Sequence, residues 1–336
     1  MTKTDEKILK ELVKEGYGIV GENCAVKICQ WTRNSLNSRG VCWKEKFYGI
    51  ESHRCAQITT SLFNCDNKCL HCWRNLKYSK KGKVKNAGSA SEILDSLIKE
   101  RKRLLIGFQG NKKIPQKKLQ EALNPNLFTF SLSGESTLDS NLGEMIKEIR
   151  RRNSISFLVT NGLHPDALKK LESDGNLPTQ ITVSTNVPCE KMFSLWHNNY
   201  EDDAWDRFNE TLKLLRKLKG KVRRVIRLTL VREGKTDSKF KELCNMKDSH
   251  VLQYCELIRK AEPDFVHIKG FKSVGFSRER LGYDKQPWHY DIKKFAEKIA
   301  EELEKEGYKI LGEEKRSCVV VLGKDRKSMK IRKEDV

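Results

Sequence analysis

The sequence contains no apolar run that approaches the eighteen residues needed to cross a membrane. Its first fifteen residues, MTKTDEKILKELVKE, are charged and helical in pattern, whereas the core of a secretion signal is apolar. The sequence also has no repeat of the length found in solenoid proteins and no low-complexity linker. We therefore expect a cytoplasmic globular protein that does not bind a membrane.

Acidic residues are scarce relative to basic ones, because 45 Asp and Glu residues oppose 66 Lys and Arg residues and leave a formal net charge of +21. The excess is concentrated in two segments without any acid, KYSKKGKVK (77–85) and KLLRKLKGKVRRVIR (213–227). A high density of charge is also typical of heat-adapted proteins, and a single charged run is often only a solvated face. Neither explanation accounts for the sign of the excess, so the composition favours a nucleic-acid partner.

The pattern of apolar residues predicts an α/β fold. The chain has 336 residues, of which 38% are hydrophobic, and this is enough to bury a large core. After about residue 88, amphipathic helical segments alternate with short apolar segments, which is typical of parallel strands joined by helices. Because the strands end in polar or glycine-containing motifs, we predict a partial (β/α)6 barrel of the TIM type with N- and C-terminal extensions. Its six predicted strands are HRCAQITTSL, LFTFSLS, ISFLVTNG, QITVSTN, VRRVIRLTLV and DFVHIKGF.

The chain divides into three predicted segments. Residues 1–56 form an N-terminal extension, residues 57–275 the partial barrel, and residues 276–336 a C-terminal appendage. The appendage pairs a charged helix, YDIKKFAEKIAEELEKEGY, with the strand CVVVLG, and we expect it to close one side of the barrel. Within the barrel, residues 190–219 are predicted as one long helical stretch.

Eleven cysteines are present, and seven of them precede residue 73. In a reducing compartment, clustered cysteines indicate metal binding or catalysis rather than disulfides. The CxxxCxxC spacing of Cys65, Cys69 and Cys72 supplies three thiolates from one loop, which suits a four-iron cluster with one iron left open. An open iron is able to chelate S-adenosylmethionine (SAM), whose sulfonium bond one electron then breaks. Zinc is the alternative, with His71 or Cys55 as a fourth ligand.

The loop resembles the signature of the radical SAM superfamily. In that signature the residue before the third cysteine is usually aromatic and contacts the adenine, and here His71 occupies the position. The segment SLSGEST resembles the glycine–glutamate element of the superfamily, so the resemblance assigns Gly134 and Glu135 to the methionyl amine. Taken alone, SGES is also compatible with an ordinary strand-to-helix turn.

Three more residues near strand ends are candidates for SAM binding. Asn161 ends the strand ISFLVTNG and is a candidate for ribose or carboxylate contacts, with a tight turn as the alternative. Ser184 and Arg227 lie on later strands and are further candidates for the same site.

The upstream cysteines extend the resemblance. Cys29, Cys42 and Cys55 are separated by twelve residues each, and together with CxxxCxxCWR this spacing resembles the archaeal 4-demethylwyosine synthase family. The similarity covers nearly the whole chain, including GFQGN (107–111) and a PWH motif near residue 288. It implies a second four-iron cluster on these three cysteines and a catalytic role for Lys44, which in the family has been proposed to form a Schiff base with pyruvate. Direct binding of pyruvate to the iron of the second cluster is the alternative.

The resemblance also implies a reaction and partners. A deoxyadenosyl radical takes hydrogen from the methyl group of N1-methylguanosine at position 37 of tRNA(Phe), and the methyl carbon joins pyruvate, whose carboxyl carbon is lost, to give 4-demethylwyosine. The electron donor is expected to be a separate flavodoxin- or ferredoxin-like protein, and the chain a monomer. Four tryptophans are candidate platforms for an unstacked base, although large aromatic residues are more often core: Trp43, Trp73, Trp196 and Trp288.

Two other functions stay open from the sequence. One is a different two-cluster radical SAM enzyme that modifies tRNA, such as a methylthiotransferase. The other is a zinc-stabilised RNA-binding protein without catalytic activity.

Overall fold

The computed structural model describes residues 3–199, 201–234 and 243–335. Its strands are β1 (Tyr17–Val20), β2 (Cys24–Lys27), β3 (Cys55–Thr59), β4 (Leu127–Phe130), β5 (Ile155–Thr160), β6 (Gln180–Ser184), β7 (Arg223–Leu230), β8 (Phe265–Gly270), β9 (Lys309–Glu314) and β10 (Val319–Gly323). Its α-helices are α1 (Lys3–Lys14), α2 (Gln30–Leu36), α3 (Trp43–Tyr48), α4 (Ala90–Gln109), α5 (Gln116–Leu123), α6 (Leu142–Arg151), α7 (Pro165–Ser173), α8 (Glu190–His197), α9 (Ala204–Lys217), α10 (Val251–Ala261), α11 (Ser277–Leu281) and α12 (His289–Glu302).

These strands form one sheet in the order β1-β2-β3-β4-β5-β6-β7-β8-β10-β9. Strands β3 to β8 are parallel and adjacent in chain order, and helices connect them, so the predicted partial barrel and its six strands are confirmed. The hairpin β1–β2 extends one edge and the pair β10–β9 extends the other, both antiparallel. The division at residues 56 and 275 stays a prediction, since strands from all three segments share this sheet.

The barrel strands show the alternation expected when successive side chains point to opposite faces. In β8, Val266 and Ile268 pack into the large core between sheet and helices, whereas Phe265 belongs to a second core inside the barrel. The outer helices are amphipathic and cover the sheet with aliphatic side chains. One of them, α4, begins with a capping box between Ser89 and Glu92, which fixes its first turn.

Helix α3 fills part of the barrel interior. Its Trp43 and Tyr48 are buried and belong to the same core as Phe157 and Phe265 from the strands. The Trp43 ring lies edge-on to the ring of His267, with centroids 4.7 Å apart. Because Cys42 directly precedes this helix, the packing of α3 positions one of the predicted cluster ligands.

Two further predictions, on the stretch 190–219 and on the C-terminal appendage, can be compared with the structure. The stretch 190–219 is divided into α8 and α9, because Asn198 adopts a left-handed conformation (φ 44°) that ends α8. Strand β10 of the C-terminal appendage pairs with β8 and extends the sheet at that edge, while closure of the barrel side by the appendage stays a prediction. Within the described ranges, every helix is too short or too polar to traverse a lipid bilayer.

Candidate active site

The cysteine loop, residues 61–75, follows β3 and is fixed by hydrogen bonds on several sides. The amide of Cys65 donates to the carbonyl of Lys80 (3.0 Å), and the amide of Lys68 donates to a carbonyl at the end of α8 (2.7 Å). The guanidinium of Arg280 donates to two backbone carbonyls of the loop. These contacts hold the three thiols of the loop in place before any metal binds.

A cavity of about 340 Å³ lies beside this loop, at the carboxyl ends of the barrel strands. This is the end at which barrel enzymes carry their active sites. Nine of the thirteen predicted site residues line the cavity: Cys65, Cys69, His71, Cys72, Gly134, Glu135, Asn161, Ser184 and Arg227. The other four predicted residues, Cys29, Cys42, Lys44 and Cys55, are not among its lining residues.

The glycine–glutamate element brings the end of β4 against the cysteine loop. Gly134 has a φ of +69°, and a Cβ at this position would lie 1.7 Å from the carbonyl oxygen of Ser61, so glycine is required. The Glu135 carboxylate is buried and accepts hydrogen bonds from the hydroxyl of Thr137 (2.7 Å) and the amide of Asn161 (2.7 Å). These bonds cap the short turn after Glu135, so the predicted turn is present and also fixes the carboxylate at the cavity.

The three remaining SAM candidates lie on neighbouring parts of the cavity wall. Oδ1 of Asn161 accepts from the amide of Leu163 (2.9 Å), which forms the predicted tight turn, while its Nδ2 lies 4.0 Å from Sγ of Cys65. Nη2 of Arg227 donates to Oγ of Ser184 (2.8 Å). Nε of Arg227 is buried without a hydrogen-bond partner among the described residues, which leaves a donor for an anionic ligand.

His71 is held as a neutral imidazole. Nε1 of Trp196 donates to Nδ1 of His71 (2.9 Å), so the ring carries its proton on Nε2. Burial lowers the pKa of His71 to about 3, with the charge of His197 contributing. A neutral ring in a fixed orientation suits the adenine contact that the resemblance assigns to this position.

The four candidate tryptophan platforms differ in exposure. Trp43 and Trp196 are buried in the hydrophobic cores and are not available to stack on a base. Trp73 lines the cavity, whereas Trp288 is 54% exposed on the surface. The Trp73 ring stacks on that of Tyr17 (centroids 6.2 Å apart) and is half-buried, so among the four only Trp73 combines a position at the site with a partly exposed ring.

The first cysteine set has the surroundings of a thiolate cluster. Nε of Arg74 donates to Sγ of Cys72 (3.4 Å), a contact that stabilises a ligating sulfur. In the metal-free chain, burial raises the pKa of Cys65 to about 11, and burial with the charges of Cys65 and Cys72 raises the pKa of Cys69 well above its ordinary value. The free thiols are therefore held neutral by burial, and a bound metal would be needed to keep them deprotonated.

The three cysteines of the second set lie near one another at the start of β3, whereas the first set follows the end of that strand. Cys29 is the N-cap of α2 and accepts from the amide of Thr32 (3.4 Å), and Cys42 is the N-cap of α3. Cys55 begins β3, with its Sγ 3.7 Å from Oγ1 of Thr129. Burial raises the pKa of Cys55 to about 12, and the charges of Cys29 and Cys42 add to the shift, so the three thiols share one environment.

The sulfurs of the two cysteine sets are spaced more widely than the three thiolate ligands of one zinc ion. Within residues 3–199, 201–234 and 243–335, only Glu51, His53 and Glu121 place three potential ligand atoms within 4.8 Å of one another. Three thiolates on one zinc ion lie about 3.8 Å apart, because each Zn–S bond is about 2.3 Å long. In each cysteine set at least one pair of sulfurs therefore lies more than 4.8 Å apart.

Two lysines, Lys44 and Lys269, lie in the region between the cavity and the second cysteine set. Nζ of Lys44, in the first turn of α3, lies 4.9 Å from the ring centroid of Phe157, inside the barrel. Lys269 ends β8, lines the cavity, and places its Nζ 5.7 Å from the ring of Trp43. Sequence reasoning missed Lys269, although it stands on the inward face of a predicted strand, like Arg227 on the neighbouring strand.

Comparisons with known proteins agree with this geometry. Residues 60–246 match the Radical SAM superfamily, and residues 260–324 match the family described as Wyosine base formation. A "S-adenosyl-L-methionine-dependent tRNA 4-demethylwyosine synthase" of Pyrococcus abyssi is 36% identical over 95% of this chain and 89% of its own length. The protein of the same name from Methanocaldococcus jannaschii is 31% identical over 96% of this chain and 98% of its length.

Solved structures give the same result. A structure described as "Structure of TYW1 with a lysine-pyruvate adduct bound" superposes with a TM-score of 0.79 and 30% identity, over 98% of both chains. Another, described as "Crystal structure of archaeal TYW1", has a TM-score of 0.72 and 28% identity, again over 98% of both chains. Neither of the two rival functions finds support in these similarities. The chain is therefore an enzyme of the radical SAM superfamily and belongs to the S-adenosyl-L-methionine-dependent tRNA 4-demethylwyosine synthases.

Proposed function

We propose that this enzyme converts N1-methylguanosine, 3′ of the anticodon of tRNA(Phe), into 4-demethylwyosine with two carbons taken from pyruvate. The observation that carries the proposal is the convergence of nine predicted residues from the cysteine loop and four strand ends on one cavity. Similarity to the 4-demethylwyosine synthases over 95% of the chain supports the same reaction.

The first cofactor site is formed by Cys65, Cys69 and Cys72. Membership of the radical SAM superfamily implies SAM and a four-iron cluster as cofactors. When bound, the cluster supplies the electron that cleaves SAM. Arg74 stabilises the sulfur of Cys72, and Gly134 lets the loop approach β4.

The chain holds SAM with residues on the other walls of the cavity. The main chain at Gly134 and the carboxylate of Glu135 accept the methionyl amine, and Asn161 binds the ribose or the methionyl carboxylate. Ser184 and Arg227 complete this polar wall, where Arg227 offers an unused buried donor to an anion. His71 contacts the adenine with a ring that Trp196 holds in place.

A second four-iron cluster is proposed on Cys29, Cys42 and Cys55. Its support is that these three thiols share one buried environment and that two of them cap short helices, where backbone amides favour a thiolate. Lys44 lies two positions after Cys42 and is proposed to condense with the ketone of pyruvate, giving an imine and water. In the alternative, pyruvate binds the second cluster and Lys44 donates a hydrogen bond to its carboxylate.

The tRNA is proposed to approach the carboxyl-end face of the barrel. The backbone of segment 77–85 is hydrogen-bonded to the cysteine loop through the carbonyl of Lys80. The segment exposes lysines beside the cavity, where they attract the phosphates of a bound RNA most strongly. Trp73 is available for stacking on the unpaired target base. The enzyme is proposed to act in the cytoplasm as a monomer, with a separate flavodoxin- or ferredoxin-like reductant.

A reconstituted turnover assay tests the proposal. The protein is prepared without oxygen, reduced, and incubated with SAM, pyruvate and tRNA(Phe) that carries N1-methylguanosine, and the nucleosides are then examined by mass spectrometry. We expect 4-demethylwyosine only when pyruvate is present, and deuterium from a labelled methyl group in the deoxyadenosine. A modified nucleoside formed without pyruvate would instead indicate a methylthiotransferase-like reaction.

A further inference from the structure

Three cations project into the barrel interior near the cavity, and none of them forms an ion pair with an acid among the described residues. Lys44 and Lys269 contact aromatic rings through their ammonium groups, and Arg227 donates to Ser184. Among the described residues that line the cavity, Glu135 carries the only carboxylate, and its oxygens already accept from Thr137 and Asn161. Cations in a partly dry interior are costly without a counter-ion, so this arrangement favours a small anion as ligand.

Lys269 is the cation whose position connects the two halves of the site. Period-two alternation along β8 places Phe265, His267 and Lys269 on the inward face, and Lys269 is the one at the carboxyl end. Its ammonium lies over Trp43, the residue next to Lys44, while the same side chain lines the SAM cavity. A ligand between Lys269 and Lys44 therefore borders both the cavity and the second cysteine set.

The electrostatic surroundings of Lys269 favour an anionic ligand. Burial lowers its pKa to about 8, and the charges of Arg227 and Lys44 lower it as well. The charge of Cys42 acts in the opposite direction and raises this pKa. A carboxylate next to it removes the repulsion among the three cations.

We propose that Lys269 binds the carboxylate of the α-keto acid whose ketone Lys44 attacks, so that the two lysines form a two-point site for this substrate. This inference rests on the proposed function and adds a specificity-determining residue to it. An α-keto acid carries its carboxylate and its ketone on adjacent carbons, so one lysine pairs with the charge while the other forms the imine and releases water. Substrates with a ketone but no carboxylate lose the ion pair.

Reductive trapping of the imine tests the proposal on the reconstituted full-length protein. The protein is incubated with increasing pyruvate and cyanoborohydride, and mass spectrometry measures the fraction of chains that carry the adduct and the lysine that bears it. For Lys269→Met we expect the pyruvate concentration that gives half-maximal trapping to rise about tenfold or more. The reason is that the variant loses one hydrogen bond to a charged group. Methyl pyruvate, which lacks the charge, should be trapped equally by wild type and variant.

Matched variants separate this role from others. Lys269→Arg keeps the charge and should retain the preference for pyruvate over its methyl ester, and Lys324→Met removes another lysine that lies over an aromatic ring (Tyr308, 5.0 Å) and should change nothing. Unchanged trapping by Lys269→Met, or an adduct on Lys269 itself, would overturn the inference. If Lys269→Met traps pyruvate at the same concentrations as wild type but contains less iron, Lys269 instead balances the charge at Cys42.

A kinetic readout distinguishes this inference from the proposed function. In the turnover assay, Lys269→Met should raise the KM for pyruvate while the affinity for SAM stays the same. If the wild type forms 4-demethylwyosine and Lys269→Met keeps a normal KM for pyruvate, only the role of Lys269 is contradicted. A wild-type protein that forms neither adduct nor product contradicts the proposed function and this inference together.

Discussion

At the scale of single residues, the approach of Gly134 to the cysteine loop is the tightest backbone contact at the site. A Cβ at Gly134 would clash with the carbonyl of Ser61, whereas Gly220 has a similar φ (+79°) and nothing within 4 Å. We expect Gly134→Ala to lower the free energy of unfolding of the metal-free protein by more than about 3 kcal/mol, and Gly220→Ala by about 1–2 kcal/mol. Urea titration of both variants measures this, and equal losses would show that the loop adapts freely.

His197 provides a test of pH dependence. Burial lowers its pKa to about 4, while its Nδ1 donates to the carbonyl of Phe193 (3.1 Å). Because the pKa in the folded state is below the unfolded value of 6.5, the stabilisation is present above pH 6.5 and is lost as the pH falls towards 4. We expect wild type to lose about 3 kcal/mol more than His197→Gln over this interval, measured by urea unfolding at several pH values. Parallel curves for the two proteins would contradict the assignment.

Site residues were predictable where a motif or a strand end marked them. The cysteine loop and the residues at the ends of β4 to β7 were recognised from motifs and from polar positions after apolar runs, and they meet at one cavity. Arg74, Arg280 and Lys269 were missed for a physical reason. A basic side chain in a strongly basic sequence gives no signal by itself, and only the fold shows that these three point inward rather than into solvent.

At the scale of elements, helix α3 packs inside the barrel and thereby positions the predicted cluster ligand Cys42. Its Trp43 packs against His267 inside the barrel, whereas Trp288 at the start of α12 is half exposed. We expect Trp43→Ala to cost about 3–5 kcal/mol of unfolding free energy and Trp288→Ala less than about 1 kcal/mol. Thermal and urea unfolding measure both, and a neutral Trp43→Ala would contradict the packing role of this ring.

The elements that sequence reasoning predicted are the long or strongly apolar ones. All six barrel strands, β10 and α12 were predicted, because each has a clear period or an apolar run. The hairpin β1–β2 and helix α3 were not, since four to six residues are too few to show a period. Their structure follows from packing against β3 and inside the barrel, which only the tertiary fold supplies.

At the scale of the whole molecule, the two basic segments lie at opposite ends of the barrel. Segment 77–85 adjoins the cysteine loop, whereas segment 213–227 includes the end of α9 and the start of β7, where Arg224 is buried and pairs with Asp264. The second segment is thus partly structural. The exposed lysines near the cysteine loop belong to the first segment, whereas Arg227 of the second segment lines the cavity itself.

Binding of tRNA should depend on the first segment. Lys83 and Lys85 are exposed there, and Lys217 and Lys219 are exposed at the opposite end. We expect Lys83→Gln with Lys85→Gln to weaken tRNA binding several-fold and to reduce the slope of log K against log salt by about 1–2. The paired variant Lys217→Gln with Lys219→Gln should leave both quantities unchanged, and fluorescence anisotropy at several salt concentrations measures them. Equal effects of the two pairs would place the tRNA elsewhere.

The most direct test of the account is the iron content of the anaerobically reconstituted protein and of two triple variants. Two four-iron clusters predict about eight irons per chain. Replacing Cys29, Cys42 and Cys55 by Ala should leave about four irons and preserve SAM binding, and replacing Cys65, Cys69 and Cys72 by Ala should leave about four irons and abolish it. Zinc in place of iron, or an iron content that either triple variant leaves unchanged, would contradict the presence of two clusters on these cysteines.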